Sequence, residues 1–308
     1  MDITLFAITF CVSVLMHYGV QKIFIKYNRF DDINHRSSHN TLATRTGGIG
    51  IFLSVLIISL YYYFQAIELF NYSLFIPLGI MLIIGVYDDL YNADFKLKFL
   101  LQIIVAKILI DQGYVISNFY GFFGFYEVPW LLAQASTVFV FLLVVNAINF
   151  IDGIDGLAIT EVIKIILIIE YFSMEISSLA PLGLMTICAI LPLYYFNFKK
   201  KRKVFLGDGG SMLLGALISV YIFNVLDEEF MLELSFNKTV FVILSLLYPL
   251  TDLLRVFFIR LKSGGSPFVA DKRHIHHFLN KKSKFKLSTV LIILLSELLI
   301  TFIFFFFS

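Results

Sequence analysis

Two adjacent carboxylates, Asp88 and Asp89, follow an apolar run at residues 73–87. Neighbouring carboxylates at the end of such a run repel each other and resist dehydration unless a cation or a proton joins them. The pair therefore indicates either a solvated helix end or a site for cation or proton chemistry.

A second polar group lies in residues 146–157, which read NAINFIDGIDGL. Asn146, Asn149 and Asp152 are three residues apart, which places them along one face of a helix, and Asp155 follows at the same interval. Interleaved apolar residues put this face at membrane depth, where polar side chains are costly and commonly functional. A polar seam between packed helices is the alternative interpretation.

A glycine-rich turn follows a basic run, with the sequence FLGDGGS at residues 205–211. Such a turn at the start of a helix presents free backbone amides and a positive helix end, which suit phosphate. Asp208 within it could supply a hard oxygen ligand for Mg²⁺. An ordinary turn is the competing interpretation.

Three histidines, His274, His276 and His277, stand next to Lys272 and Arg273. They could bind a transition metal or a phosphate, and the neighbouring cations favour the anion. Asp252 and Arg255, in the preceding apolar segment, are expected to pair with this region, because single buried charges are costly.

The elements that hold these clusters are predicted to be membrane helices. Of the 308 residues, 59% are hydrophobic and 15% are charged, and the mean hydropathy is +0.87. Soluble domains contain roughly 25% charged residues. The chain is therefore predicted to be an all-α integral membrane protein with a single domain over residues 1–308. Ten spans are predicted, at residues 3–21, 48–64, 73–87, 99–113, 131–148, 158–174, 179–196, 212–226, 239–259 and 287–307.

The basic residues predict the orientation of these spans. Of 24 Lys and Arg residues, 21 fall in residues 22–45, 96–98, 199–203 and 255–286, which all lie on one side in the ten-span arrangement. Basic loops remain in the cytoplasm. The four polar clusters lie on this same, cytoplasmic side, so both termini are expected in the periplasm, or outside the cell where there is a single membrane.

In order and spacing, these clusters resemble the polyprenyl-phosphate N-acetylhexosamine-1-phosphate transferase superfamily, glycosyltransferase family 4. The resemblance covers residues 32–277. The RSSH sequence at 36–39, the SPF sequence at 266–268 and the HIHH string look like the branch that initiates surface polysaccharides such as O-antigen. Thr44 departs from the family pattern, since relatives commonly have proline before the arginine that matches Arg45.

The resemblance implies roles for particular residues. Asp88, Asp89, Asp152 and Asp155 match catalytic or active-site carboxylates, and Asp208, assisted by Asn149, matches the Mg²⁺ ligand. The positions that match substrate-binding residues are Arg45, Gly48, Lys98, Asn146, Asn149, Asn197, His274, His276 and His277. Mg²⁺ is the cofactor implied, with Mn²⁺ as an alternative.

The resemblance also implies the reaction. A sugar 1-phosphate would move from a UDP-N-acetylhexosamine to undecaprenyl phosphate in the lipid bilayer, with release of UMP. No nucleic-acid partner is expected, and the sequence leaves open the sugar, the polymer and whether the protein is a homodimer.

Three other functions remain as alternatives. The peptidoglycan transferase belongs to the same superfamily. A secondary transporter would place its polar residues near the bilayer midplane in two related halves, whereas here they lie toward one face. A membrane scaffold without activity would catalyse no exchange of UMP into UDP-sugar.

Overall fold

The structure is a computed structural model that describes residues 3–31, 42–122, 124–233, 237–264, 274–282 and 286–307. Within these ranges the chain is mainly helical. The α-helices are α1 Ile3–Lys26, α2 Gly47–Phe64, α3 Phe75–Tyr91, α4 Phe95–Asp111, α5 Trp130–Ile151, α6 Leu157–Phe172, α7 Ala180–Phe198, α8 Gly207–Val225, α9 Lys238–Ser245, α10 Leu247–Lys262, α11 Ile275–Lys282 and α12 Lys286–Phe307. The strands are β1 Ala43–Arg45, β2 Asn118–Phe122, β3 Phe125–Glu127 and β4 Lys203–Phe205.

Each of the ten predicted apolar segments overlaps one or more of these helices. Among the described residues, seven helices are long and apolar enough to cross a membrane: α1, α2, α3 with the turn before it, α5, α7, α8 and α12. α9 and α10 together form an eighth, bent by 75°. The remaining two, α4 and α6, have 17 and 16 residues. The prediction of an all-α integral membrane protein is confirmed, and the number of ten spans stays a prediction.

α8 is the central helix of the bundle, and 89% of its apolar window is buried inside the protein. It packs against α2, α3, α5 and α6. Gly215 allows close packing against α5, since a β-carbon there would lie 2.8 Å from the Val145 Cα. Small residues of this kind let membrane helices approach closely, where van der Waals packing stabilises them. Packing against α8 therefore sets the positions of the neighbouring helices relative to its first turn.

The turn between α3 and α4 brings two charged helix ends together. Asn92 ends α3 in a left-handed conformation, with φ of 53°, which asparagine tolerates better than most residues. Asp94 then begins α4 in an extended conformation. As a result, Asp88 in the last turn of α3 lies close to Lys98 in the first turn of α4.

Two short parallel strands align the starts of α2 and α8. β1 pairs with β4, with Thr44 opposite Val204 and Arg45 opposite Phe205. Each strand leads directly into a helix, so the first turns of α2 and α8 lie side by side. Gly48 and Gly210 make this approach feasible, because a β-carbon on Gly48 would lie 2.3 Å from the Gly210 Cα.

The opposite end of the bundle carries the β2–β3 hairpin and a group of acidic residues. Lys238, at the start of α9, stands 4.7 Å from the centre of the Tyr120 ring and donates to the carbonyl of Asp227. This end therefore has its own polar network, which is separate from the predicted site.

Candidate active site

Two carboxylates from different helices share one ammonium group. Lys98 Nζ lies 2.5 Å from Asp88 Oδ2 and 3.3 Å from Asp208 Oδ2. Asp88 Oδ1 also accepts the N–H of Ala93 at 2.8 Å, which fixes this carboxylate relative to the turn after α3. The structure thus joins the first and third sequence clusters through Lys98.

Asn149 connects the second cluster to the same point. Its Nδ2 donates to Asp208 Oδ1 at 3.1 Å and to Ser211 Oγ at 2.8 Å. The side chain of Asp208 is 34% exposed, so it remains open to a ligand. The N-terminus of α8 lies here as well, and the positive end of its dipole favours anions.

Asp89 occupies a different position from its neighbour, Asp88. Its side chain is 3% exposed, and its two oxygens contact Arg45 Nη1 at 3.0 Å and the N–H of Gly209 at 3.1 Å. The carboxylate therefore ties β1 to the first turn of α8. The catalytic role predicted for Asp89 stays a prediction, and any such role would act through these contacts.

Arg45 is the second cation at the site. It bridges two carboxylates, with Nη2 at 2.6 Å from Asp31 Oδ1 and Nη1 at 3.0 Å from Asp89 Oδ1. Burial opposes its charge, but Asp89, Asp31 and Asp208 outweigh burial, so the pKa of Arg45 lies above its usual value. Arg45 therefore stays cationic while 39% of its side chain remains exposed to an anionic ligand.

Asp152 and Asp155 follow the end of α5 and face different neighbours. Burial, together with the charges of Asp208, Asp89 and Asp155, raises the pKa of Asp152 well above its usual range. Asp155 is buried and forms an ion pair with Lys203 of β4. Asp152 thus belongs electrostatically to the site, whereas Asp155 links the loop after α5 to the basic strand.

The histidines are organised by Asp252 of α10. Its Oδ2 lies 2.8 Å from His274 Nδ1, and its Oδ1 accepts the N–H of Ile275 at 2.8 Å. Arg255 Nη1 is 3.8 Å from the same carboxylate. The predicted pairing of Asp252 and Arg255 with this region agrees with the geometry.

His276 is buried and reaches α10 through a second contact. Its Nδ1 lies 3.1 Å from the hydroxyl of Tyr248, and its ring stacks on that of His274 at a centroid distance of 5.4 Å. The backbone of His277 is part of α11, but its side chain, like residues 265–273, lies outside the described residues.

The histidine pair meets the asparagine segment at Phe150. The ring centroids of Phe150 and His274 are 5.7 Å apart, and the guanidinium of Arg260 stands 5.9 Å from the same phenylalanine ring. Because Phe150 directly follows Asn149 in α5, the fourth cluster lies at the same end of α5 as Asn149. All four sequence clusters therefore meet at one end of the bundle.

Three residues predicted to bind substrate make internal contacts. Asn146 donates to Gln102 Oε1 at 3.2 Å, which is a polar seam between α5 and α4. Asn197 is buried and donates to the carbonyl of Val204 at 2.9 Å. Gly48 is buried and donates its N–H to the carbonyl of Leu206 at 3.1 Å. In these positions they support the strands and helices around the site, and direct contact with substrate stays a prediction.

Sequence reasoning missed several residues that the structure adds to the site. Asp31 follows α1 and pairs with Arg45, although nothing in its local pattern marks it. Tyr248 resembles any aromatic residue of an apolar segment. Glu161 was detectable, because it stands three residues before Lys164 inside an apolar run, and such a pair on one helix face indicates a buried ion pair.

The residues present fit a Mg²⁺ ion held jointly with substrate. Among the described residues, no three His, Cys, Asp or Glu side chains are arranged around a single ion position. However, Mg²⁺ typically uses one or two carboxylates, with waters and substrate phosphates as its other ligands. Asp88 and Asp208 already converge on the cation of Lys98, and Asp208 has the exposed carboxylate oxygens that Mg²⁺ prefers.

The fold and the site together define a multi-pass membrane protein with a charged site at one end of the bundle, suited to phosphate-bearing ligands. The comparison with known families is consistent with this class. Residues 71–225, half of the chain, match the model of glycosyl transferase family 4. The chain belongs to that family, and it is a membrane-embedded transferase, as the resemblance in its motifs predicted.

Curated relatives align over most of the chain. The undecaprenyl-phosphate alpha-N-acetylglucosaminyl 1-phosphate transferase of Salmonella typhi is 28% identical over 293 residues, covering 88% of this chain and 74% of the relative. The enzyme with the same name from Escherichia coli K12 is 27% identical over 292 residues, with the same coverage. A probable undecaprenyl-phosphate N-acetylglucosaminyl 1-phosphate transferase of Bacillus subtilis is 29% identical over 275 residues, covering 84% of this chain and 72% of the relative.

Proposed function

We propose that this protein transfers an N-acetylhexosamine 1-phosphate, with N-acetylglucosamine 1-phosphate as the first choice, from a UDP-sugar to undecaprenyl phosphate. UMP is released, and the lipid-linked product begins a surface glycan. The observation that carries the proposal is the meeting of Asp88, Lys98, Asp208 and Asn149 at the start of α8. The substrates in the proposal are those named for three relatives.

The proposed reaction exchanges one phosphoanhydride for another. A phosphate oxygen of the lipid attacks the phosphorus that bears the sugar, and the bond from that phosphorus to the bridging oxygen of UMP breaks. Both reactants are anions, so most of the catalytic work is to neutralise charge and align them. In the site, Lys98, Arg45 and the positive end of the α8 dipole are placed to neutralise this charge.

In this proposal, Asp208 and Asn149 are the residues that would hold Mg²⁺. The ion would neutralise the phosphate oxygens and the charge that develops on UMP. Lys98 lies between Asp208 and Asp88. In this position it can form an ion pair with the acceptor phosphate while that phosphate approaches the diphosphate. Arg45, open on one side, binds the nucleotide diphosphate or the lipid phosphate.

Asp88 and the histidines complete the assignment. Asp88 orients Lys98 and accepts the remaining proton of the lipid phosphate when that group arrives as a monoanion. His274, fixed by Asp252, donates a hydrogen bond to the sugar diphosphate, and the more deeply buried His276, fixed by Tyr248, supports it through ring stacking. The site faces the cytoplasm of the inner membrane in this proposal, because Arg45, Lys98 and Lys203, which belong to three of the basic segments, lie at the same end.

The proposal is tested with purified enzyme, undecaprenyl phosphate and Mg²⁺. UMP release is measured with UDP-GlcNAc, UDP-GalNAc, UDP-QuiNAc, UDP-FucNAc and UDP-MurNAc-pentapeptide as donors. We expect turnover with at least one of the first four and none with the pentapeptide donor. Turnover with the pentapeptide donor alone would assign the protein to peptidoglycan synthesis, and no UMP release from any donor would reject the proposal.

A further inference from the structure

A buried charge cluster lies beneath the site, between α6 and α12. Lys164 Nζ is 2.6 Å from Glu161 Oε2 and 2.9 Å from Glu297 Oε2. All three side chains are at most 5% exposed. Replacing such a cluster with apolar residues is often neutral or stabilising, because burial of charges costs solvation energy. Its presence within the bundle therefore calls for a role other than stability.

The cluster contacts the break between α9 and α10. Pro249 lacks an N–H and cannot continue the hydrogen bonding of α9, and the two helices meet at an angle of 75°. The first turn of α10 consequently has backbone N–H groups that need acceptors within the bundle. Glu297 Oε1 accepts one of them, the N–H of Tyr248, at 2.6 Å.

Tyr248 connects this contact to the histidines. Its backbone is bound to Glu297, while its hydroxyl lies 3.1 Å from His276 Nδ1. Four residues later on α10, Asp252 binds His274. The start of α10 is thus fixed on one side by the charge cluster and fixes the histidines on the other.

We infer that Glu297, held by Lys164 and Glu161, is a positioning residue that sets α10 and residues 274–282 for binding of the sugar diphosphate. It acts through Tyr248 and does not touch substrate. The ligand in this inference rests on the function proposed above, whereas the mechanical link from Glu297 to the histidines does not.

The decisive variant replaces the whole cluster by apolar residues: Glu161→Leu, Lys164→Met and Glu297→Leu together. This triple variant is expected to insert and fold, since no charge is left unpaired, but Tyr248 loses its acceptor. We expect backbone amide exchange in residues 274–282 to become at least fivefold faster. The KM for the UDP-sugar and the Kd for UMP should rise about tenfold, with a smaller change in kcat.

Two further variants separate positioning from general damage. The single variant Glu297→Gln keeps an oxygen that can accept the Tyr248 N–H. Its amide exchange rate in residues 274–282 and its affinity for UMP should therefore stay within about threefold of the parent values. Glu170→Gln is the matched control, because Glu170 also lies on α6 and accepts bonds from Ser177 and Tyr221, but at the other end of the helix. It should leave exchange in residues 274–282 unchanged.

A double-mutant cycle supplies the last criterion. The loss of UMP affinity in the triple variant should shrink in a His276→Ala background, because coupled positions are not additive. A stable triple variant with parental exchange in residues 274–282 would overturn the inference, as would full additivity with His276→Ala. If exchange responds as expected but the parent protein transfers no sugar phosphate, the positioning role stands and the proposed function fails.

Discussion

Asp208→Asn removes one charge from the site while it preserves the shape of the side chain. The Asp208 carboxylate contacts Lys98 at 3.3 Å and Asn149 at 3.1 Å. At 3.3 Å and an effective dielectric constant of about 20, the attraction to Lys98 is about 5 kcal/mol before desolvation is counted. Measured losses of hydrogen bonds to charged groups are about 1.5–3 kcal/mol each.

Two such bonds give a loss of about 3–6 kcal/mol, and the lower half of that range applies because a third of the side chain is exposed. If transfer needs these two contacts to hold the site in its reactive geometry, the corresponding decrease in kcat is about 10²- to 10³-fold. If Asp208 also holds Mg²⁺, the variant should need more Mg²⁺ for half-maximal rate. Membrane insertion should change little, since the neutral amide fits the same space, whereas the melting temperature should fall as the contacts with Lys98 and Asn149 weaken.

The assay is UMP release by purified protein at saturating undecaprenyl phosphate, with Mg²⁺ varied from micromolar to tens of millimolar. Asp111→Asn is the matched control, because Asp111 is a largely exposed carboxylate that pairs with Lys107 at the other end of α4. It should retain parental kcat and Mg²⁺ dependence. An Asp208→Asn variant within threefold of the parent at every Mg²⁺ concentration would refute the reasoning and remove Asp208 from the mechanism.

Four further predictions concern the same site. Arg45→Lys should raise the KM for the UDP-sugar about tenfold, because a lysine cannot bridge both Asp31 and Asp89 as the arginine fork does; an unchanged KM would exclude Arg45 from binding. Asp152→Asn, measured in EDTA, should raise the melting temperature by a few degrees at pH 8 and change it little at pH 4. A carboxyl whose pKa is raised in the folded protein destabilises the fold only once the pH rises above its pKa in the unfolded chain. Equal shifts at both pH values would contradict this. Removal of Mg²⁺ by EDTA should weaken UMP binding at least tenfold, measured calorimetrically and reversed by Mg²⁺ or Mn²⁺; affinity independent of divalent cations would count against the cofactor. Ser263→Cys in a cysteine-free background should react with an impermeant maleimide in inverted vesicles only, and labelling of intact cells would reverse the orientation.

The sequence predicts the helices well because lipid imposes one strong rule on them. A spanning segment must be apolar for about 20 residues and satisfy its own backbone hydrogen bonds. Each predicted segment consequently overlaps a helix. The break between α9 and α10 was not predicted, since Pro249 lies within one continuous apolar run and the bend depends on α12 for the Glu297 acceptor.

The sequence indicated which residues to consider for the site better than it indicated the contacts between them. Asp88 and Asp208 stood out less as single motifs than through the order and spacing that they share with the other polar clusters. Their shared partner Lys98 was recognised through the family resemblance, since no local rule pairs a lysine with an aspartate 110 residues later. The separation of Asp88 from Asp89 was also hidden, because it depends on which side chain meets the first turn of α8.

The ion pairs of the site leave an imbalance that bears on its cofactor. Arg45 is shared by Asp31 and Asp89, and Lys98 is shared by Asp88 and Asp208. These ion pairs thus contain four carboxylates and only two cations. The excess is two negative charges, at the place where two anionic substrates must meet. Proton uptake could offset part of this excess, but protons would also remove the ligands that a metal requires. One divalent cation matches the excess and supplies a coordination site for phosphate oxygens, so the charge of the described residues itself favours Mg²⁺ arriving with the nucleotide sugar.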